Sequence, residues 1–307
     1  MALNEIQKQL LREVADLHEV PEGAYNIRAN GESAARATTA NINIVTKQDK
    51  PGIDIIIAPG TKKESVHIPV IISENGLKEM VYNDFYIGDD ADVVIVAGCG
   101  IHNCGDQTSQ HDGIHAFHVG KNAHVKYVEK HYGDGDGIGG RVMNPTTVVE
   151  LEDGAYMEME TTQLGGVDST YRKTEAVLGA AATLIVKEKV MTHGEQVADA
   201  DFTIDMNGED CSCNLISRSV AKGKSKQVFR SNMRGNNACS GHSECDAIIM
   251  DDATVAAIPE VTANHVDAAL IHEAAIGKIA GDQLMKLMTM GLTEQEAEEQ
   301  IVNGFLK

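Results

Sequence analysis

The sequence predicts a mainly β, solenoid-like chain with a helix at its start and a small helical unit at its end, on three observations. Between residues 23 and 268 the apolar residues come in short runs separated by Gly, Asn and Asp, as short strands and tight turns require. Within that region a motif recurs: an apolar residue, three residues, Ala, one residue, a second apolar residue. Before and after it the apolar spacing lengthens to that of a helix.

At the start, Ile6, Leu10, Val14 and Leu17 fall on one helical face, so residues 1–22 are expected to form an N-terminal helical segment. Strands of four to seven residues follow, at Ile53–Ile57, Val66–Ile72, Val93–Val96 and Val125–Val128. Phe202, Ile204 and Met206 alternate strictly, which places one face of a strand inward. The recurring alanines are Ala91, Ala123, Ala155, Ala182 and Ala253, and the first three stand 32 residues apart. A small residue facing inward where a tight turn meets the next strand suits stacked coils, each burying its neighbour's apolar face. A β-sandwich with repeated turn chemistry is the competing architecture. From about residue 269 the period changes again. Leu284, Leu287 and Met288 fit one helix face, Gly291 a stop, and Thr293 with Glu296 a capping box. Ala297, Ile301 and Phe305 then recur at four-residue steps. The expected units are thus 1–22, a core of 23–268 and a helical domain of 269–307.

The chain has 307 residues, enough for a large core. It has no Trp and only 4% aromatics, so that core must be aliphatic. A net charge of −20 argues against binding nucleic acid or an anionic membrane surface. No apolar run reaches bilayer length and no signal-peptide core precedes Val14, so a cytoplasmic location is expected. There, six cysteines act as thiols, metal ligands or redox groups rather than disulfides.

Four segments could carry chemistry. Gly135, Gly137 and Gly140 spell a G-x-G-x-x-G, but Asn144-Pro145 and a strand-like run follow where a nucleotide site needs a helix. The stretch Gly133–Gly140 therefore reads as a flexible surface loop. Histidines gather at His102, His111, His115, His118, His124 and His131. His111 with His115, and His118 with His124, could each share a strand face, either as structural histidines or as metal ligands. Cys211 and Cys213 lie on one side of an extended strand, as buried small residues or as soft ligands. The segment from Cys239 to Asp246 holds Cys239, His242, Glu244 and Cys245, with His272 and Glu273 downstream. Thiolate, imidazole and carboxylate together can hold iron.

At these residues the sequence resembles the SufB/SufD family. The resemblance rests on Gly241-His-Ser-Glu-Cys245-Asp followed by Ile258-Pro-Glu, and on His272-Glu-Ala-Ala-Ile-Gly-Lys278-Ile279. Asp282-Gln-Leu284, Met290-Gly-Leu292 (Met standing where Arg is usual) and Gly304-Phe305 continue it. Upstream it includes His111-Asp-Gly-Ile-His115, Tyr127-Val-Glu-Lys-His131-Tyr-Gly133, Ser217-Arg218 and Ala221-Lys-Gly-Lys-Ser225. It covers roughly residues 50–307 in the same order.

The resemblance implies a right-handed parallel β-helix with a C-terminal helical domain. It implies a scaffold for iron–sulfur cluster assembly and transfer, not itself an enzyme, served by a SufC-like ABC-type ATPase that hydrolyses ATP. Cys245 would receive sulfur or bind the cluster, and His272 and Glu273 would complete iron coordination. The cluster type is left open, 4Fe-4S among the candidates. Cys211, Cys213, Cys239, His242 and Glu244 are possible auxiliaries for sulfur or metal. Ile279, Leu284, Leu287, Met288, Ile301 and Phe305 would face the ATPase. The chain is shorter than the larger SufB proteins, which points to a minimal system with one scaffold and one ATPase. The scaffold would be a homodimer through the β-helix, with a sulfur donor and apoprotein recipients as further partners. The rival readings are a zinc- or iron-dependent β-solenoid enzyme and a structural subunit of the same complex that binds no cluster.

Overall fold

The computed structural model describes residues 3–17 and 21–307. Residues 1, 2 and 18–20 of the expected N-terminal helix lie outside these. The helix itself, α1, is Glu5–Ala15. Asn4 and Gln7 form a reciprocal capping box at its start, and Asp16 ends it in the left-handed conformation. Leu10, Leu11 and Val14 are buried. Ile6, expected on the same face, is exposed, because Leu11 takes the inward position instead.

Among the described residues twenty strands follow. The first ten are β1 Ala24–Ala29, β2 Glu32–Ala37, β3 Ile42–Thr46, β4 Gly52–Ile57, β5 Lys62–Ile72, β6 Lys78–Ile87, β7 Asp92–His102, β8 Ser109–Val119, β9 His124–Asp134 and β10 Arg141–Met143. The rest are β11 Thr146–Leu151, β12 Tyr156–Gln163, β13 Ser169–Leu178, β14 Thr183–Thr192, β15 Val197–Met206, β16 Cys211–Ala221, β17 Lys226–Gly235, β18 Cys239–Ile249, β19 Thr254–Ala263 and β20 Ala268–Gly277. They form two ten-stranded sheets, one ending in β16-β18-β20 and the other in β15-β17-β19. From β4 onward every pairing between successive coils is parallel. The chain is therefore a β-solenoid of about eight turns, and the sandwich alternative falls. Two antiparallel hairpins, β1–β2 and β3–β4, close its N-terminal end.

The alanine motif explains the stacking. Ala91, Ala123, Ala155 and Ala182 are buried, and the register makes them one column along the axis, continued by Cys211, Cys239 and Ala268. Asp90, Asn122, Gly154, Ala181 and Asp210, each just before a column residue, have positive φ. The chain turns sharply there and only a small side chain fits inside. Above this column run aliphatic ones, and Phe85 stacks on Phe117 with centroids 4.4 Å apart.

α1 lies on the outer face of β7, where Gly98 and Gly100 let it approach. A Cβ at Gly98 would stand 2.6 Å from the Val14 carbonyl oxygen. At the other end, β20 carries the solenoid to Gly277, so the helical segment begins at Gly281 rather than at residue 269. α2 is Gly281–Thr289 and α3 is Glu294–Phe305, the latter opened by the expected Thr293–Glu296 capping box. α3 packs on the outside of the solenoid through Val302 and Leu306 against Val220, with Met191, Ile248, Met250, Ile279 and Phe305 around them. Strands β19 and β20 end the two sheets, and Ile258, Val261, Ile271 and Ile276 are exposed there.

The Gly133–Gly140 stretch is not a free loop. Gly137 and Gly139 donate backbone hydrogen bonds to Asn103 and Gly105 of the coil below.

Candidate functional site

Strand alternation decides which side chains meet. On β18, Cys239, Gly241, Ser243, Cys245 and Ala247 point inward, while His242, Glu244 and Asp246 point outward. On β20, Leu270 packs against the core, so His272 and Ala274 share its inward phase and Glu273 has the opposite one. In the ladder Ser243 faces His272, Glu244 faces Glu273 and Cys245 faces Ala274. Cys245 and His272 are thus diagonal neighbours on the interior side. Glu273 stands on the exterior side, its carboxylate 3.7 Å from His242 Nε2. The ladder puts Cys245 and His272 on the same face of adjacent strands, two residues out of register, and Glu273 on the opposite face. Among the described residues no three His, Cys, Asp or Glu side chains converge on a point where a metal ion could sit.

The two inward groups have the chemistry of ligands. Cys245 is 1% exposed. Burial pushes its thiol up to about 12, with Glu188 and Asp246 adding to the shift, so a metal must displace its proton to bind. His272 Nδ1 is buried without a hydrogen-bond partner, a cost a coordinated ion would remove. Burial also lowers the His272 pKa, which keeps the ring neutral, as a ligand must be.

The auxiliaries divide likewise. Cys211 and Cys239 face each other across β16 and β18 in the alanine column, and Cys213 lies two residues on, facing inward. Burial raises all three thiols, Cys211 to about 11 and Cys213 to about 12. His242 and Glu244 belong to the outer face, where His242 Nδ1 lies 3.1 Å from Asn214 Oδ1 and Glu244 lies 4.0 Å from Arg218.

The interior also holds a charged network that the motifs did not reveal. Arg172 on β13 is 5% exposed, and its Nη1 donates to Glu129 on β9 at 2.6 Å. Its Nε lies 3.6 Å from Glu188 on β14, which accepts from Ser217 Oγ at 2.9 Å. Glu188, Ser217 and Cys245 occupy successive rungs of one column. Burial alone would raise Glu129, but Arg172 and His131 hold it well below the usual carboxylate range. Burial outweighs Arg172 at Glu188 and raises it.

The histidines split between inside and outside. His111, His115 and His131 are buried. His118 and His124 do not share a face as expected, for β8 and β9 belong to different sheets. His118 pairs with Glu150 at 2.7 Å, and His124 stacks on Tyr156. Inside, Tyr127 donates to Glu129 at 3.0 Å, His115 Nδ1 lies 2.8 Å from the Tyr127 hydroxyl, and Asn83 Nδ2 lies 3.3 Å from His115 Nε2. This chain fixes a neutral ring protonated on Nδ1.

Burial, opposed by Glu129, lowers His115 to about 4, below the ~6.5 of an unfolded histidine. The unfolded chain therefore binds the extra proton between those values. The associated stability is complete above about pH 7 and declines as pH falls to 4, by about 3 kcal/mol. Urea unfolding at pH 7.5 and 4.5 should show the loss, and His115→Gln should flatten it. An unchanged slope in the variant would assign the acid sensitivity to other groups.

The β-solenoid thus stacks thiols and charges in its core and carries the His272 imidazole on its last strand. Residues 74–305 match the family described as SUF system FeS cluster assembly, SufBD core domain. The chain belongs to that family and is an iron–sulfur cluster assembly protein of the SufBD type. It is 29% identical over 255 residues to the iron–sulfur cluster assembly SufBD family protein of Methanocaldococcus jannaschii, covering 82% of this chain and 79% of that one. The corresponding Archaeoglobus fulgidus protein is 29% identical over 265 residues, covering 85% and 69%. That of Pyrococcus horikoshii is 24% identical over 294 residues, covering 95% and 84%. Among the described residues no helix is long and apolar enough to cross a membrane.

Proposed function

We propose that this chain is a scaffold on which an iron–sulfur cluster is built and from which it is passed on, with ATP hydrolysis located in a SufC-like ABC-type ATPase partner. The observation that carries the reading is the pair formed by the Cys245 thiol and the unpartnered His272 Nδ1, both turned inward at the last two rungs of one sheet. The cluster is cargo, of a type the residues leave open, and it needs more ligands than this pair. Glu273 lies on the other face of the same edge strand, so one chain leaves the set incomplete.

A second copy across the open end would supply the rest. The unpaired edges of β19 and β20, with Ile258 and Ile271 exposed beside them, suit a two-fold contact between solenoids. The scaffold is accordingly read as a cytoplasmic homodimer that receives sulfur from a donor and hands clusters to apoproteins. Cys211, Cys213 and Cys239 are read as auxiliary sulfur carriers, limited by their raised pKa values.

The test is anaerobic reconstitution with iron and sulfide, followed by absorbance and Mössbauer spectroscopy. Wild type is expected to hold a cluster, and Cys245→Ser and His272→Ala to lose most of it while keeping the strand signal in circular dichroism. Equal clusters in wild type and Cys245→Ser would move the ligands elsewhere. Iron binding by neither would favour the structural-subunit reading, in which another chain carries the site.

A further inference from the structure

The N-terminal end of the solenoid contains a cavity of about 370 Å³ between the hairpins β1–β2 and β3–β4, within the range of small-molecule sites. Its lining is unlike the rest of this acidic chain. Arg28, Arg36, Lys47 and Lys50 all reach it, and no carboxylate lines it among the described residues. Three carboxylates stand behind the cations. Glu79 pairs with Arg28 at 2.8 Å, and Asp54 and Asp84 both pair with Lys47. That leaves Arg36 and Lys50 without an acidic partner among the described residues.

Arg36 is held in place by neutral groups. Its Nε donates to Asn26 Oδ1 at 2.9 Å and its Nη1 to Thr46 Oγ1 at 2.7 Å. Asn26 is 7% exposed and also accepts from Ser33 Oγ at 2.9 Å. Burial pulls the Arg36 pKa below its ordinary value, so the guanidinium bears a desolvation cost that no counter-charge offsets. The Lys50 ammonium stands 4.5 Å from the centroid of the Tyr82 ring, held at the cavity by a cation–π contact. Ile53, Ile68, Val70 and Val81 give the lining an apolar part, beside the uncharged polar Asn26, Ser33, Thr46 and Asn83.

We infer that this cavity is a binding site for a small phosphomonoester, whose dianionic head lies between Arg36 and Lys50 and whose organic body rests on the apolar part of the lining. The guanidinium's Nη2, which donates to no group among the described residues, can reach a phosphate oxygen, and an ammonium adds a point charge. The size favours a small molecule over a polymer. The site is at the opposite end of the solenoid from Cys245, so it stands or falls independently of the assembly role.

The test uses the full chain and titration calorimetry at constant ionic strength, with phenyl phosphate and inorganic phosphate as probes. Phenyl phosphate should bind, and more tightly than inorganic phosphate. Arg36→Gln and Lys50→Met should each weaken it at least tenfold, about 1.4 kcal/mol. Lys121→Met, at a lysine facing Asp153 far along the surface, should leave it unchanged. Should Arg36→Gln fail to fold, Lys50→Met still reads the site, since the Lys50 ammonium makes no ion pair among the described residues and rests over the Tyr82 ring. No heat above that of chloride, or binding that both cavity variants leave intact, would overturn the assignment. Equal affinity for the two probes would remove the organic body from it.

Discussion

Replacing Arg172 with Met should destabilise the solenoid by about 3–5 kcal/mol, the usual cost of leaving a buried charge without its partner. Arg172 is the only Arg or Lys paired with Glu129 among the described residues, at 2.6 Å, with His131 Nε2 beside that carboxylate at 3.5 Å, and Arg172 stands 3.6 Å from Glu188. Glu129 and Glu188 are each 3% exposed, so water cannot take over the role of the guanidinium. Methionine fills much of the volume, which keeps the cavity term small and leaves the electrostatic one. Without Arg172, Glu129 must bind a proton or remain ionised at high cost. The loss should therefore be largest at neutral pH and shrink in acid. Glu129→Gln in the Arg172→Met background should recover part of it, which a lost packing contact would not do. Urea unfolding followed by circular dichroism measures these differences. Because coils contact only their neighbours, an early transition in the middle coils also counts as the expected result. A change below about 1 kcal/mol, within the range of exposed ion pairs, would show that water reaches the network.

The repeat was legible because its cause is local. A left-handed turn residue followed by a small inward residue is written in consecutive positions, as in Asp90-Ala91 and Asn122-Ala123. The Thr293–Glu296 capping box was legible for the same reason. The beginning of the C-terminal helices was not. His272-Glu-Ala-Ala is a good helix sequence by propensity, but β18 offers a ladder to pair with, and β20 takes it. Had that strand been recognised, the consecutive numbers of His272 and Glu273 would have placed them on opposite faces. The buried charges had a weaker signal. Val125, Tyr127, Glu129 and His131 share one phase of an alternating strand, so Glu129 is written as an inward residue. Its partner Arg172 lies 43 residues away in another coil, and nothing local announces the pairing. The inside–outside split of the histidines likewise depends on which sheet each strand joins, a property of the stack rather than of any segment.

Removing residues 278–307 should abolish binding of the proposed ATPase partner while the solenoid persists. The core is enclosed between the two sheets and owes nothing to α3, which rests on the outside against Val220, Met191, Ile248 and Met250. Further ties are Lys222 to Glu298 at 3.9 Å and Lys189 to the Lys307 carbonyl oxygen at 2.9 Å. Burying side chains such as Val302 and Leu306 is worth about 1.5–3 kcal/mol each, enough to seat the helix but not to hold the coils together. α2 is different. It buries no residue, and Met285, Met288 and Met290 are exposed. An unbranched, polarizable surface of this kind suits an apolar groove on a partner. Of the residues expected to face the ATPase, Ile279 and Phe305 pack on the solenoid side, whereas Leu284 and Leu287 are half-buried and Met288 is exposed. The proposal of an ATPase partner therefore puts the contact on α2, with α3 as its mount. Met285→Glu with Met288→Glu should weaken co-purification nearly as much as the truncation, and Ile279→Ala should act mainly on how firmly α3 is seated. Undiminished co-purification of the truncated chain would place the ATPase elsewhere on the solenoid, and loss of its strand signal would make the terminal helices part of the fold rather than a mount upon it.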